Sequence, residues 1–459
     1  MSKLSGRGVA VSVLRKFDSG RGDVSDLLKE ALIHTGERGK ATDLVYGVVR
    51  NRNLIDHLLD KFGNINKGRV KGELLNILRI GVYEIVFCPG IEIYAAVNEA
   101  VSLGRSGKQR GFLNAVLRNI CRAIDNRRLK ITEMSDKIIP QNAKTGCMFK
   151  EPVLPDPQSH PNKYLSTAFS LPEWLTAEWI DEFGFETAYD VCMASNRKSG
   201  VYIQPNTLKI TADELIRKFE SSMDSKDFLA VCDGRMIKVT GKDISSLPGF
   251  DEGLFTIQDP TAAAAMEMLD PKEGQTIVDL CAAPGGKTVR LAQLTAGNAR
   301  IIAADIDAKR LEKVKENCQR LNIKSVETVS LESLDARIQN LKVDAVVADV
   351  PCSNTGVMAR RCEVRHRITK DKRNQLCKLQ TTILEKAAVI IGNEGKICYS
   401  TCSILHRENR NIVNSFLKTH LDFKLVEDRL TLAQTASNGR IDCDGGYVAV
   451  LERSSINKC

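Results

Sequence analysis

The stretch Thr276–Arg290, TIVDLCAAPGGKTVR, constrains the fold more than any other part of the chain. A short apolar run reaches Asp279, a loop of small residues with two glycines follows, and helical periodicity returns at Val289, Leu291 and Leu294. Strand, Gly-rich turn and helix form a βα unit of the kind that cradles nucleotide-like ligands. Gly285 and Gly286 let the backbone approach a ligand closely and supply amide donors at a helix N-terminus. The spacing is not GxGxxG. The GKT ending is that of a P-loop, but Cys281 stands where that motif needs its first Gly, so neither a dinucleotide nor a triphosphate is favoured. A ligand carrying a carboxylate and a positive sulfur fits better, because amides can take the carboxylate while Asp279 and other acids balance the cation. Arg300–Ala304 then reads as a second strand ending in Asp305, the position that holds ribose hydroxyls in nucleoside-binding sheets.

The second half of the chain alternates strand and helix. Strands are expected at 276–280, 300–304, 326–330, 343–349 and 395–401, and helices at 286–295, 307–321, 372–391 and 407–419. Phe423–Val426 and Tyr447–Glu452 read as a closing pair. The alternation predicts a mostly parallel, doubly wound sheet with its ligand at the strand C-termini. Two of those strand ends present a cysteine, in Ala348–Gly356 (ADVPCSNTG) and in Tyr399–Ser403 (YSTCS). With Asp279 and Asp305 they make one concave site from four strand ends.

A methyl-transfer site needs thiols when the acceptor is a pyrimidine C5, which is a poor nucleophile. A thiolate added at C6 turns C5 into an enamine-like carbon, and loss of the C5 proton lets the thiol leave. Either Cys352 or Cys402 could attack on chemical grounds. Cys281, Cys318, Cys377 and Cys398 read as small buried residues.

Residues 1–130 read as helix throughout, with apolar faces such as Leu54, Ile55, Leu58, Leu59 and Phe62, and Leu74, Leu75, Leu78 and Val82. They carry 23 Lys+Arg against 13 Asp+Glu, so with a net charge of +9 for the whole chain the remainder is close to neutral. This surplus, concentrated in Arg105–Arg110 and prolonged by Arg118, Arg122, Arg127, Arg128 and Lys130, marks a polyanion-binding surface. Prolines at 140, 152, 155, 157 and 161 make 131–170 a linker or meandering insert. Thr176–Ser195 reads as a helix pair, and 201–239 as a small α/β segment. No run of 18 apolar residues predicts a membrane span. The first residues lack a signal-peptide pattern, and 14 cysteines without one CxxC spacing argue against zinc and disulfides. A cytoplasmic, metal-free monomer is expected.

VDLCAAPGGKT, DVPCSNTG and YSTCS resemble the three signature motifs of the Sun/RsmB family of RNA (cytosine-5) methyltransferases. QDPTAAAA (Gln258–Ala265) and DGGYVAVLER (Asp444–Arg453) resemble its flanking segments. DLVYGVVRNRNLIDHLL, LRIGVYEI and AAVNEAV…GFLNAVLR resemble the NusB-like helical domain that marks the RsmB branch. The resemblance implies a multidomain chain: an all-α NusB-like RNA-binding bundle (1–130), a linker (131–170), a small RNA-facing α/β subdomain (171–250) and a Rossmann-like methyltransferase (251–459). It implies methylation of cytosine C5 in small-subunit (16S) rRNA, the rivals being a non-catalytic RNA-binding or assembly factor and the same chemistry on tRNA. S-adenosylmethionine is placed against Cys281, Ala282, Ala283, Pro284, Gly285, Gly286 and Lys287, with Asp305 on its ribose and Asp349 beside its methionine end and the target base. The nucleophile becomes Cys402, and Cys352 assists breakdown of the adduct. The chain departs from the pattern at Glu332, which stands in for the adenine-contacting acid, at Asn354 where Gly is frequent, and at Gln204 where an RNA-facing Arg is usual. The basic run Arg360, Arg361, Arg365, Arg367, Lys370, Lys372, Arg373 is expected to bind backbone phosphates.

Overall fold

The computed structural model describes residues 4–65, 68, 70, 72–241, 243–436 and 441–454. In chain order it contains α1 (Gly6–Asp18), α2 (Val24–Leu32), α3 (Arg38–Arg50), α4 (Arg52–Gly63), α5 (Gly72–Phe87), α6 (Ile93–Ser102) and α7 (Gly107–Ala123). Three strands follow, β1 (Ile124–Lys130), β2 (Ile138–Pro140) and β3 (Thr145–Phe149), then α8 (Pro161–Phe169), α9 (Glu173–Phe183) and α10 (Phe185–Ser195). Next come β4 (Val201–Pro205), α11 (Ala212–Glu220), β5 (Phe228–Val231), β6 (Met236–Val239), β7 (Phe255–Ile257) and α12 (Pro260–Leu269). The largest sheet uses β8 (Thr276–Asp279), α13 (Gly286–Leu294), β9 (Arg300–Asp305), α14 (Ala308–Leu321), β10 (Val326–Ser330), α15 (Leu334–Ile338) and β11 (Ala345–Asp349). The chain ends through α16 (Val364–Arg367), α17 (Lys370–Ile390), β12 (Lys396–Thr401), α18 (Arg410–Thr419), β13 (Phe423–Thr431) and β14 (Gly446–Arg453).

These elements form two compact units, Met1–Arg197 with Met358–Arg367, and Lys198–Val357 with Ile368–Cys459. In the first unit α5 is buried almost all round, from Leu75 to Val86, as expected of a helix at the centre of a bundle. Gly47 on α3 admits the Tyr83 ring, which would lie 2.0 Å from an added Cβ. Two buried arginines are paired rather than solvated. Arg7 donates to Glu84 at 2.8 and 2.9 Å, and Arg79 to Asp56 at 2.8 and 2.9 Å.

Three expectations need correction in this unit. The helical reading of 1–130 fails at its end, because Ile124–Lys130 is strand β1, paired antiparallel with β3. The linker expected at 131–170 holds β2, β3 and α8, and its prolines start or flank elements rather than prevent them: Pro161 opens α8 at a position where no N–H is needed. Arg127 is not part of a basic surface. Its guanidinium donates to the carbonyls of Ile85, Ile91, Glu84 and Cys88, which ties off the carbonyl end of α5.

Two members of the basic run after Cys352, Arg365 and Arg373, are corrected in the same way. Arg365 is fully buried, and its guanidinium donates to the carbonyls of Arg50, Phe169, Ser195 and Cys362 and to Asn196 Oδ1 at 2.6 to 3.0 Å. Burial lowers its pKa to about 10. Burial likewise pushes His366 down to about 4, and its Nε2 lies 2.7 Å from the Val49 carbonyl. Arg367 pairs with Asp23, and Arg373, in the second unit, is buried. Arg365 and Arg373 are built into the protein and are not displayed for phosphate, whereas Arg361, Arg367, Lys370 and Lys372 are exposed.

The second unit has a small antiparallel sheet in the order β5-β6-β4-β7, with Leu215 and Phe219 of α11 in its core. Its main sheet runs β10-β9-β8-β11-β12-β14-β13, parallel from β10 to β12 and antiparallel in the last two strands. Helices pack on both faces over Val278, Ile302, Val346 and Tyr399 on one side and Ile277, Ile301, Val347 and Cys398 on the other. The strand order reverses between β8 and β11, and the crevice at their C-terminal ends is where such a sheet takes its ligand. The strand and helix positions read from periodicity agree with these elements to within a few residues.

Candidate active site

The loop after β8 is built by local rules. Gly285 sits at φ 105°, and an added Cβ would lie 3.3 Å from Val314 of α14, so both conformation and space call for glycine. Gly286 has open space where its Cβ would be. The loop amides are largely committed: Ala282 donates to the Ala304 carbonyl at 3.0 Å, Ala283 to Asp305 Oδ2 at 3.2 Å, and Gly285 to the Ala282 carbonyl at 2.7 Å. Donors for a ligand therefore come from the first turn of α13, whose amides have no partner within the helix. Arg310 and Asn317 hold the carbonyls of Ala283 and Pro284 at 2.7 and 3.2 Å.

Three carboxylates meet at this loop. Asp279 and Asp305 are buried, and Asp349 is half-exposed. After burial itself, the charges of Asp279, Asp349 and Asp305 push up the Cys281 thiol. Asp279 accepts from Thr288 Oγ1 at 2.7 Å on one oxygen, and the other makes no hydrogen bond among the described residues. Burial raises its pKa to about 7, with the Thr288 bond opposing and the Asp349 charge adding. Asp305 is aimed by the amides of Ala283 and Asp307. Glu332 is exposed on the turn after β10, beside Leu331, whose amide donates to the Asp305 carbonyl at 3.2 Å.

Lys287 does not point at a phosphate position. Its ammonium meets Asp349 Oδ2 at 2.7 Å, while Ser400 Oγ donates to Asp349 Oδ1 at 2.8 Å. Burial works against the charged lysine, but Asp349 and then Cys402 and Asp279 outweigh it, and its pKa is raised.

The cysteines of the two loops come together. Cys352 and Cys402 stand with their sulfurs 3.1 Å apart, and Cys402 Sγ donates to Asn354 Oδ1 at 3.0 Å. Asn354 is left-handed at φ 60° and its amide nitrogen returns to the Cys352 carbonyl at 2.9 Å. That conformation suits Asn, which explains why Gly is not required here. Cys352 is buried and Cys402 partly open. The hydrogen bond to Cys402, then burial, then the charges of Cys402 and Glu408 push the Cys352 thiol well up. Cys318, Cys377 and Cys398 are raised by burial as well, in keeping with a packing role.

Cys402 opens on a pocket lined also by Thr261, Lys287, Ser400, Arg429 and Tyr447. Arg429, Ser400, Asn354 and Glu408 were not singled out from sequence for the reaction. The YSTCS motif carried a signal for Ser400 and the ADVPCSNTG motif for Asn354. Gln204 is buried and bonds Gln258 and Arg290 at 2.6 to 3.0 Å, so the residue standing where an RNA-facing Arg is usual is part of the protein interior.

Residues 266–446 match the family model described as 16S rRNA methyltransferase RsmB/F, and residues 5–122 match the NusB family model. The chain joins a NusB-family domain to an RsmB/F-family methyltransferase domain. A probable ribosomal RNA small subunit methyltransferase B of Bacillus subtilis is 29% identical over 92% of this chain and 90% of its own length. The solved structure of PH0851 superposes with a TM-score of 0.72 at 24% identity, covering 98% of this chain and 99% of that one. NSun6 from Pyrococcus horikoshii, solved with SFG, shares the fold at a TM-score of 0.52 and 21% identity over 61% of this chain and 98% of that one. The RsmB/F domain makes the protein a methyltransferase, and such a domain takes its methyl group from S-adenosylmethionine. No helix among the described residues is long and apolar enough to cross a membrane, and no group of three or more His, Cys, Asp or Glu among them could hold a metal ion.

Proposed function

We propose that this protein methylates C5 of a cytosine in small-subunit ribosomal RNA through a covalent bond between Cys402 and C6. The observation that carries the reading is the pair of thiols 3.1 Å apart, the more open of which lines a pocket shared with Lys287 and Ser400. An oxygen or nitrogen acceptor would need no thiol. Pyrimidine C5, a poor nucleophile, does.

The residues suit S-adenosylmethionine. Three carboxylates, Asp279, Asp305 and Asp349, stand against two cations, Lys287 on Asp349 and Arg310 at 3.8 Å from Asp305, so the crevice favours a ligand bearing sulfonium and ammonium charge. Asp305 would hold the ribose, Glu332 and the exposed Ile306 the adenine, and the first turn of α13 the carboxylate. When bound, the cofactor supplies an electrophilic methyl group. Cys402 gives up its proton and adds to C6, which places the electron pair on C5. After transfer a base takes the C5 proton, the C5–H electron pair re-forms the C5–C6 double bond, and the C6–S bond breaks with its electrons on sulfur to release the Cys402 thiolate. Cys352, held behind it, assists that release. Asp349, fixed by Lys287 and Ser400, holds the base through a proton shared with N3, which is itself an acceptor. A target within paired RNA would be extruded from its stack to reach the pocket. The exposed Arg118, Arg122, Arg128 and Lys130 near the end of the NusB-family domain supply phosphate contacts.

The test is the denaturing gel of Cys352→Ala and Cys402→Ala with S-adenosylmethionine and small-subunit rRNA. A stable protein–RNA adduct with the first and none with the second is expected. No adduct from either, with no methyl incorporated by the unaltered chain, would overturn the reading in favour of an RNA-binding assembly factor.

A further inference from the structure

Glu408 lies between the two cysteine loops and is fully buried. Its Oε1 accepts from the backbone amide of Ser353 at 2.8 Å and from Gln380 Nε2 at 3.0 Å. Its Oε2 accepts from Ser403 Oγ at 2.6 Å and from the Ser353 hydroxyl. Ser353 and Ser403 each directly follow one of the cysteines. The two loops are joined further by Gly356, whose amide donates to the Cys402 carbonyl at 2.9 Å, and by Thr355, which bonds Ser403 Oγ and the Ile404 amide at 3.0 and 3.1 Å. Tyr399 donates to the Glu408 carbonyl at 2.6 Å.

No cation is paired with this carboxylate among the described residues; four neutral donors hold it. A buried charge without a counterion costs stability that an uncharged residue of similar shape would not, so its retention calls for a role in the site. We propose that Glu408 is the positioning residue of the cysteine pair: through Ser353 and Ser403 it holds Cys402 at the pocket wall and Cys352 behind it, and its charge keeps Cys352 from taking over as nucleophile. The inference rests on the reading of Cys402 as the nucleophile. It is consistent with the Cys352 thiol being pushed up in part by Glu408. The other titratable groups around the pair are Tyr399, which feels Cys352, and Lys287, which feels Cys402.

The experiment uses the full chain with Glu408→Gln, which keeps the shape and removes the charge. Two quantities are read: methyl transfer, as kcat and KM separately, and alkylation of each cysteine by iodoacetamide between about pH 6 and pH 9 in the absence of RNA. The expected result is a kcat lower by roughly 10- to 100-fold with KM within about twofold. Alkylation of Cys352 relative to Cys402 should rise about tenfold, because the charge that opposes its thiolate is gone. An unchanged alkylation ratio together with an unchanged kcat overturns the proposal. If the ratio moves while even the unaltered chain transfers no methyl group, Glu408 has the proposed effect on the pair and the functional reading fails instead. Should Glu408→Gln not fold, Ser353→Ala and Ser403→Ala each remove one arm and leave the carboxylate its other donors. Both are expected to lower kcat and shift the ratio in the same direction, and no change in either would overturn the proposal.

Discussion

The sulfurs of Cys352 and Cys402 lie 3.1 Å apart although 50 residues separate them in the chain. Neighbouring parallel strands bring them together: Asp349 of β11 pairs in register with Ser400 of β12, and each cysteine follows within three residues. The neighbouring Cys402 and burial hold the Cys352 thiol neutral.

The ion pair Lys287–Asp349 should matter to catalysis more than to folding. Asp349→Asn leaves the Ser400 bond available but removes the charge opposite Lys287. A loss of roughly 10²- to 10⁴-fold in kcat is expected, within the range for a group that handles a proton in the transition state. Thermal unfolding of the variant should stay within a few degrees of the unaltered chain. Full activity of Asp349→Asn would remove this carboxylate from the base contact.

Asp279 predicts a pH dependence of stability. Its folded pKa of about 7 lies above the ordinary carboxylate value of 3.8, so the folded protein binds the extra proton. Stability therefore falls as pH rises from about 4 to about 7 and is level above that, by up to about 4 kcal/mol. In Asp279→Asn this fall should be absent. Denaturant midpoints at pH 5 and pH 8 check it: the variant should compare better with the unaltered chain at pH 8.

Gly285 and Gly286 should respond differently to alanine. At Gly285 the left-handed backbone and the contact with Val314 both oppose a Cβ, and a cost of about 1–2 kcal/mol with weaker cofactor binding is expected. Gly286→Ala meets nothing and opens a helix, so it should be neutral or slightly stabilising. Paired melts and calorimetric binding of S-adenosylmethionine distinguish the two.

Arg365→Met should destabilise the first unit by about 3–5 kcal/mol, because four carbonyls lose their donor. The salt dependence of RNA binding by the folded fraction should be unchanged. Arg118→Ala and Arg122→Ala should leave the melt alone and lower the slope of log affinity against log salt by about 0.7–0.9 each. The opposite pattern would return Arg365 to the phosphate interface.

The sheet was legible because short unbroken apolar runs such as Ile301–Ala304 and Ala345–Ala348, the mark of parallel strands buried on both faces, alternate with helical periodicity, and each strand is short and bounded. The bundle helices were legible for the same local reason. The expectations that failed concern residues whose neighbours are remote. Ile124–Lys130 becomes a strand only because β3 returns to pair with it, and its own composition does not announce that. Arg127 and Arg365 look like any surface arginine until the carbonyls they cap are in place.

Within the site the division is similar. Residue type and local spacing determined which loops carry chemistry: small residues after β8, an acid at the end of β9, and a cysteine after each of β11 and β12. Those are short-range requirements of backbone geometry and nucleophile identity, so they are written in contiguous letters. Tertiary structure alone decided that Lys287 pairs with Asp349, that Cys352 lies behind Cys402, and that Glu408 spans both loops. Those outcomes depend on strand order and on which buried charge finds which donor, and they are settled by long-range packing, where desolvation leaves each group little choice of partner.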